Sequence, residues 1–174
     1  LRLQADIKVT RADGFAQSQI ALRSSRSIAL QDLTASLPLS ALANVAPSGW
    51  TGTVNLKFAN LVLADGWPSR ADGVAEILNV SSASGRSPIS GSYKITFPAP
   101  NAEKKQNVVT GAIADLGGPL QISGTLELRP ERGYLLQGLV APRPDAPKNL
   151  VNQLQILGPP DAQGRRPFSV EGSM

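Results

Sequence analysis

Two pairs of carboxylates stand near enough in the chain to suggest acid–base work: Asp72 with Glu76, and Glu127 with Glu131. Two such acids facing one another across a cleft could hydrolyse a glycosidic bond. Each also has a plainer explanation. Asp72 precedes a glycine of turn character, Glu127 falls on the polar side of an alternating run, and Glu131 lies in a reverse-turn sequence. The plainer reading is adopted, and no residue is assigned as catalytic. The sequence contains no histidine and no cysteine, which removes Ser-His-Asp and Cys-His catalysis, thiolate zinc sites and disulfides.

The remaining chemical motifs are weaker still. Gly117-Gly118-Pro119 lacks the Gly-Lys-Ser or Gly-Lys-Thr ending of a phosphate loop and precedes a strand pattern, so it reads as a strand-entry turn. The run Asp161 to Gly164 lacks the alternating acids of a calcium loop and reads as an ordinary turn. No cofactor-binding or metal-binding residue is assigned. Seventeen basic against thirteen acidic side chains leave a formal charge of +4. The only adjacent basic pairs, Lys104-Lys105 and Arg165-Arg166, sit among turn residues, which argues against nucleic acid as a partner. Trp50 and Trp67 read as core plugs in a chain with only 5% aromatic residues.

Positioning any of these groups requires a body, and the pattern of the chain points to strands. Hydrophobic residues make up 41% and charged residues 17% of the sequence, enough to bury a core in a single domain spanning residues 1–174. From Leu1 to Thr10 apolar and polar side chains alternate, which predicts a half-buried strand. Asp13-Gly14 supplies a hairpin turn, and further strands are expected over Phe15–Arg23, Ser27–Ser36 and Trp50–Leu63. Asp65-Gly66-Trp67-Pro68 reads as a loop, because proline cannot donate to a ladder. A recurring phrase, glycine followed by a short alternating run, opens at Gly52, Gly73, Gly91, Gly111, Gly124 and Gly138; strand glycines of this kind mark bulges and bends. The clearest hairpin joins Leu120–Arg129 to Tyr134–Val140 through Pro130 to Gly133. Polar residues along one whole side of that hairpin imply an antiparallel sheet with one wet face.

Two changes of period predict short helices at about 38–46, after Pro38, and at 147–157, where Leu150, Val151, Leu154 and Leu157 stripe one side between Pro147 and Gly158. The stripe is expected to cover the sheet. A last strand is expected over Phe168–Gly172. The expected fold is therefore mostly β, a curved antiparallel sheet of about nine or ten strands with one or two short helices. No apolar run reaches the length of about 18 residues that a membrane span needs. The alternation starts at Leu1, and any targeting or anchoring segment is expected to lie upstream.

Two stretches carry a family likeness. One is Ser48-Gly-Trp-Thr-Gly-Thr-Val-Asn-Leu-Lys-Phe-Ala-Asn-Leu-Val-Leu-Ala-Asp-Gly-Trp-Pro68. The other is Gly117-Gly-Pro-Leu-Gln-Ile-Ser-Gly-Thr-Leu-Glu-Leu128, followed by Arg143-Pro-Asp-Ala-Pro147, the leucine stripe, and Leu157-Gly-Pro-Pro-Asp-Ala-Gln-Gly-Arg165. From about Thr34 onward their order resembles the type II secretion system protein N family. The resemblance implies a non-enzymatic component of the machinery that exports folded proteins across the outer membrane. It implies a periplasmic body held to the inner membrane by an amino-terminal anchor that this chain lacks. It also implies partners among the other secretion components, the secretin and the inner-membrane assembly proteins, and it leaves a homodimer open. One departure stands out: Arg165-Arg166-Pro167 interrupts the final alternating strand and puts its pairing in doubt. The rival reading is a periplasmic lipid-handling module, in which the apolar face of a curved sheet holds an acyl chain.

Overall fold

The computed structural model describes residues 4–42, 49–82, 90–100, 102 and 107–173. Ten strands follow one another as a meander, each paired antiparallel with the next: β1 (Gln4–Arg11), β2 (Gly14–Ser24), β3 (Ser27–Pro38), β4 (Trp50–Ala64), β5 (Trp67–Ser82), β6 (Gly91–Phe97), β7 (Val109–Asp115), β8 (Leu120–Leu128), β9 (Gly133–Pro142) and β10 (Arg166–Ser173). One helix, α1 (Lys148–Leu154), and two 3-10 turns, Leu39–Leu42 and Gln155–Leu157, complete the described elements.

The register turns the alternation of the sequence into two faces. Residues paired directly across a ladder share a face, so a row can be followed through all ten strands. One row runs Val9, Ala16, Ala35, Leu56, Ala75, Ile95, Ile113, Gly124, Gly138, Phe168. The row beside it runs Lys8, Gln17, Thr34, Lys57, Val74, Thr96, Ala112, Thr125, Gln137, Ser169. The first contains no charged or hydrogen-bonding side chain and the second is predominantly polar. Partial burial of the first row from Ala16 onward and hydration of the second orient the sheet from β2 to β10.

The apolar face buries itself by curling. Leu33, Ala35, Phe58, Phe97 and Val109 form one cluster, and Leu126 and Leu128 from β8 pack against it although the cluster begins on β3. The rings of Phe58 and Phe97 lie 5.8 Å apart. At the turn end of these hairpins, Arg132 in the β8–β9 turn donates to the carbonyl of Asp65 in the β4–β5 turn at 2.8 Å. In a flat sheet the centres of those turns would be separated by four strand spacings, about 19 Å. Bulges support the curvature: the β4–β5 ladder is irregular at three places, and others interrupt β2–β3 and β5–β6. Gly73, inside β5, shows why glycine is needed in these strands. Its φ is +156°, and a Cβ there would stand 2.5 Å from the Cα of Phe58 and overlap the carbonyl of Lys57.

A second cluster covers the far end of the same face. There α1 lays Leu150 and Leu154, each 6% exposed, on Leu120 and Val140, with Ile122 and Phe168 alongside. Gly124 and Gly138 oppose each other beneath it, and a Cβ on Gly138 would come within 2.6 Å of the Cα of Gly124.

Four local expectations are modified. After Pro38 the chain makes a 3-10 turn over Leu39–Leu42 with Leu39 buried, and residues 43–46 of the expected helix lie outside the described residues. Trp67 and Pro68 belong to β5, not to the preceding loop. The missing N–H of Pro68 leaves no broken bond with β6, because β6 pairs with β5 only from Gly73 onward. Leu157 is 37% exposed and does not join the stripe that covers the sheet. All eight residues of β1 are exposed rather than half-buried. The final strand, whose pairing Arg165-Arg166-Pro167 put in doubt, is intact: Arg166 pairs with Val140 and Pro167 with Leu139. An edge strand tolerates this proline because one side of it carries no ladder.

Candidate interaction edges of the sheet

The sequence-flagged acids do not assemble into a reaction centre. Asp72 and Glu76 lie on one strand, β5, four residues apart, hence about 13 Å along an extended backbone. Either glycosidase geometry needs a separation of about 5 to 9.5 Å. Glu127 is held by Arg129, whose Nε lies 2.8 Å from its Oε1, and Arg129 also reaches Glu171 of β10 at 2.6 Å. These pairings raise the Arg129 pKa and tie β8 to β10 across β9. Glu131 sits exposed in the turn beyond.

The turn motifs are structural in the same way. The Asp161 carboxylate accepts from the amides of Gln163 and Arg165, at 2.9 and 2.8 Å, and from the Arg165 guanidinium. Those amide bonds and the guanidinium lower its pKa and use the oxygens that a cation would need. Arg166 donates to the carbonyl of Gly158 at 2.9 Å, so the Arg165-Arg166 pair pins the β9–β10 connection. Lys104-Lys105 lies outside the described residues. Among the described residues no three His, Cys, Asp or Glu side chains group as metal ligands. Trp50 and Trp67 are half-buried in β4 and β5, and the buried Nε1 of Trp67 has no hydrogen-bond partner.

Sequence reasoning missed a partly buried ion pair. Asp115, at the end of β7, has a side chain only 7% exposed. It accepts from Arg143 at 2.5 Å, from the amide of Ile122 at 2.8 Å and from that of Gly117 at 3.3 Å. Arg143 also donates to the carbonyls of Gly118 and Leu120. Burial pushes the Asp115 pKa up, but the Arg143 hydrogen bond and charge and the two amides outweigh it, leaving the carboxyl below its ordinary value. The neighbouring Tyr93 hydroxyl is pushed up to about 12, by burial first and then by the Asp115 charge. The Gly117-Gly118-Pro119 turn and the Arg143 segment, far apart in the chain, are thus one clasp.

A cleft of about 910 Å³ also went unflagged. It lies between the ends of β4 and β5 and the β6–β7 connection, lined by Asn60, Val62, Arg70, Asp72 and Ala99 among others. The buried Oδ1 of Asn60 has no partner.

What remains exposed and unpaired is the sheet's two ends. β1 has β2 on one side only, and β10 has β9 on one side only. Ile7 and Val9 of β1 are 43% and 49% exposed, Val170 of β10 is 48% exposed, and Ile156 on the 3-10 turn after α1 is 88% exposed. An unpaired edge with apolar side chains beside it can accept another strand through its free N–H and C=O groups.

The described strands thus form one open antiparallel meander with an edge at each end. The family model described as type II secretion system (T2SS), protein N matches residues 1–169, and the chain belongs to that family. It is 45% identical over 53 residues to the type II secretion system protein N of Aeromonas hydrophila, a match covering 30% of this chain and 21% of that protein. It is 42% identical over 45 residues to the protein of the same name from Aeromonas salmonicida, covering 26% of this chain and 96% of that sequence. No solved structure matches it. Among the described residues no helix is long and apolar enough to cross a membrane.

Proposed function

We propose that this chain is the periplasmic, non-enzymatic body of an inner-membrane-anchored secretion component, and that it holds other parts of the machinery, the secretin or the inner-membrane assembly proteins, by lending them an edge of its sheet. The observation that carries this reading is the β10 end of the molecule. There an unpaired strand runs beside the exposed Ile156 and Leu157, and the Arg166–Gly158 hydrogen bond fixes that turn against the strand. A partner strand would gain main-chain hydrogen bonds from β10 and an apolar anchor from the turn.

The rival lipid reading needs an apolar face free to hold an acyl chain. Leu33, Ala35, Phe58, Phe97 and Val109 fill the centre of that face at 8% exposure or less, which favours protein docking. Native mass spectrometry of the purified chain tests this: a clean protein mass is expected, and a co-purifying lipid would support the rival. Docking itself is tested by pull-down of the periplasmic parts of the secretin and the inner-membrane components with Ile156→Asp and Ser169→Pro. Both substitutions fall on exposed positions and are expected to weaken capture by about tenfold or more, since losing one anchor costs about 1 to 2 kcal/mol. Equal capture by the parent chain and both variants would refute the reading.

A further inference from the structure

We infer that two copies of this chain join edge to edge through β1, in the antiparallel register that sets Ile7 against Ile7 of the second copy. The proposal shares the open sheet with the reading above but uses the opposite edge, leaving β10 for unlike partners.

The two edges differ in how they are protected. β10 carries Pro167, which removes a donor, and the Glu171–Arg129 ion pair. The β1–β2 ladder is regular from Gln4 to Arg11, with no bulge to twist the edge away and no proline. Edges of that kind are templates for another strand.

Charge selects the occupant. Asp6 and Lys8 share the polar face of β1, and the ion pairs among the described residues engage neither, whereas Arg11 is taken by Asp13 at 3.1 Å. On the other face Ala5, Ile7 and Val9 continue the apolar side, Val9 pairing with Ala16 and Ala5 with Ile20. A second copy related by a two-fold axis perpendicular to the sheet keeps apolar facing apolar only when the axis passes through a residue position. Centring it on Asp6 opposes two carboxylates, and centring it on Lys8 opposes two ammonium groups. Centring it on Ile7 sets Asp6 of each copy against Lys8 of the other, Ala5 against Val9, and Gln4 against Thr10. Of these three registers, only that one pairs opposite charges twice and closes an apolar strip around the axis.

Sedimentation equilibrium of this chain and its charge variants tests the register. The parent chain is expected to dimerise. Asp6→Lys alone and Lys8→Asp alone each set like charges opposite one another twice, and each is expected to weaken the dimer at least about tenfold. An equimolar mixture of the two variants restores both opposite-charge pairs and is expected to return the dimer mass. The sequence has no cysteine, so Ile7→Cys adds an independent reading: oxidation should link two copies. Val9→Cys should link to Ala5→Cys and not to itself. Circular dichroism identical to the parent's shows that each variant has folded. A monomeric parent, single-charge variants that dimerise as tightly as the parent, a mixture that stays monomeric, or self-linking by Val9→Cys would each overturn the proposal, as would capture of an unlike strand on β1 in place of a second copy.

Discussion

At the scale of single residues, the chain's best-defined polar site is a structural clasp. Asp115 is buried against Arg143 and two backbone amides, so removing one partner leaves a charge without its compensation. Arg143→Ala is expected to lower stability by about 2 kcal/mol, less than a fully buried pair would cost because the guanidinium is partly exposed; urea unfolding measures it. The sign of the pH dependence follows from the lowered Asp115 pKa. A carboxyl whose folded value lies below its unfolded value adds stability that is fully present above the unfolded value of about 4 and is lost as pH falls through the folded one. Thermal melts below pH 4 should therefore show a smaller acid-induced loss in Asp115→Asn than in the parent. The clasp was not legible in the sequence, because Asp115 and Arg143 meet only once β7, β8 and β9 have paired. The flagged acids failed for the converse reason. Asp72 and Glu76 are neighbours in the chain, and a strand holds residues four apart far from one another.

At the scale of elements, periodicity of two was the dependable signal. It marked the strands from Phe15, Ser27, Trp50 and Leu120, and the glycines at 52, 73, 91, 111, 124 and 138 all fall within strands or at their starts. The face of each strand was legible too, but what covered each face was not. β1 alternates as cleanly as the buried strands, yet with no described element packed over it its Ile7 and Val9 stay exposed. Period 3.6 was dependable in α1; after Pro38 the described residues make a 3-10 turn over Leu39–Leu42 beside β4, and residues 43–46 lie outside the described residues. The stripe on α1 divides by contact. Leu150→Ala or Leu154→Ala is expected to cost about 2 to 4 kcal/mol, since each leaves a cavity against Leu120 and Val140. Leu157→Ala, at a half-exposed position, should cost under about 1 kcal/mol. Denaturant titration of the three variants would check the ranking. Equal losses would mean that the helix packs differently.

At the scale of the molecule, ten strands in one open sheet leave two edges where a closed barrel would leave none. The centre of the apolar face is filled by Leu33, Ala35, Phe58, Phe97 and Val109, and the sheet's unpaired backbone is at its two margins. The family gives the setting, type II secretion, and the proposed means is a strand lent to a neighbour. Amide hydrogen exchange of the chain, alone and with the periplasmic part of the secretin or of an inner-membrane assembly protein, measures this most directly. The expected result is new protection over Arg166–Ser173 and the Ile156 turn, with exchange in β4 to β7 unchanged. Unaltered exchange along β10 in a complex that demonstrably forms would contradict it.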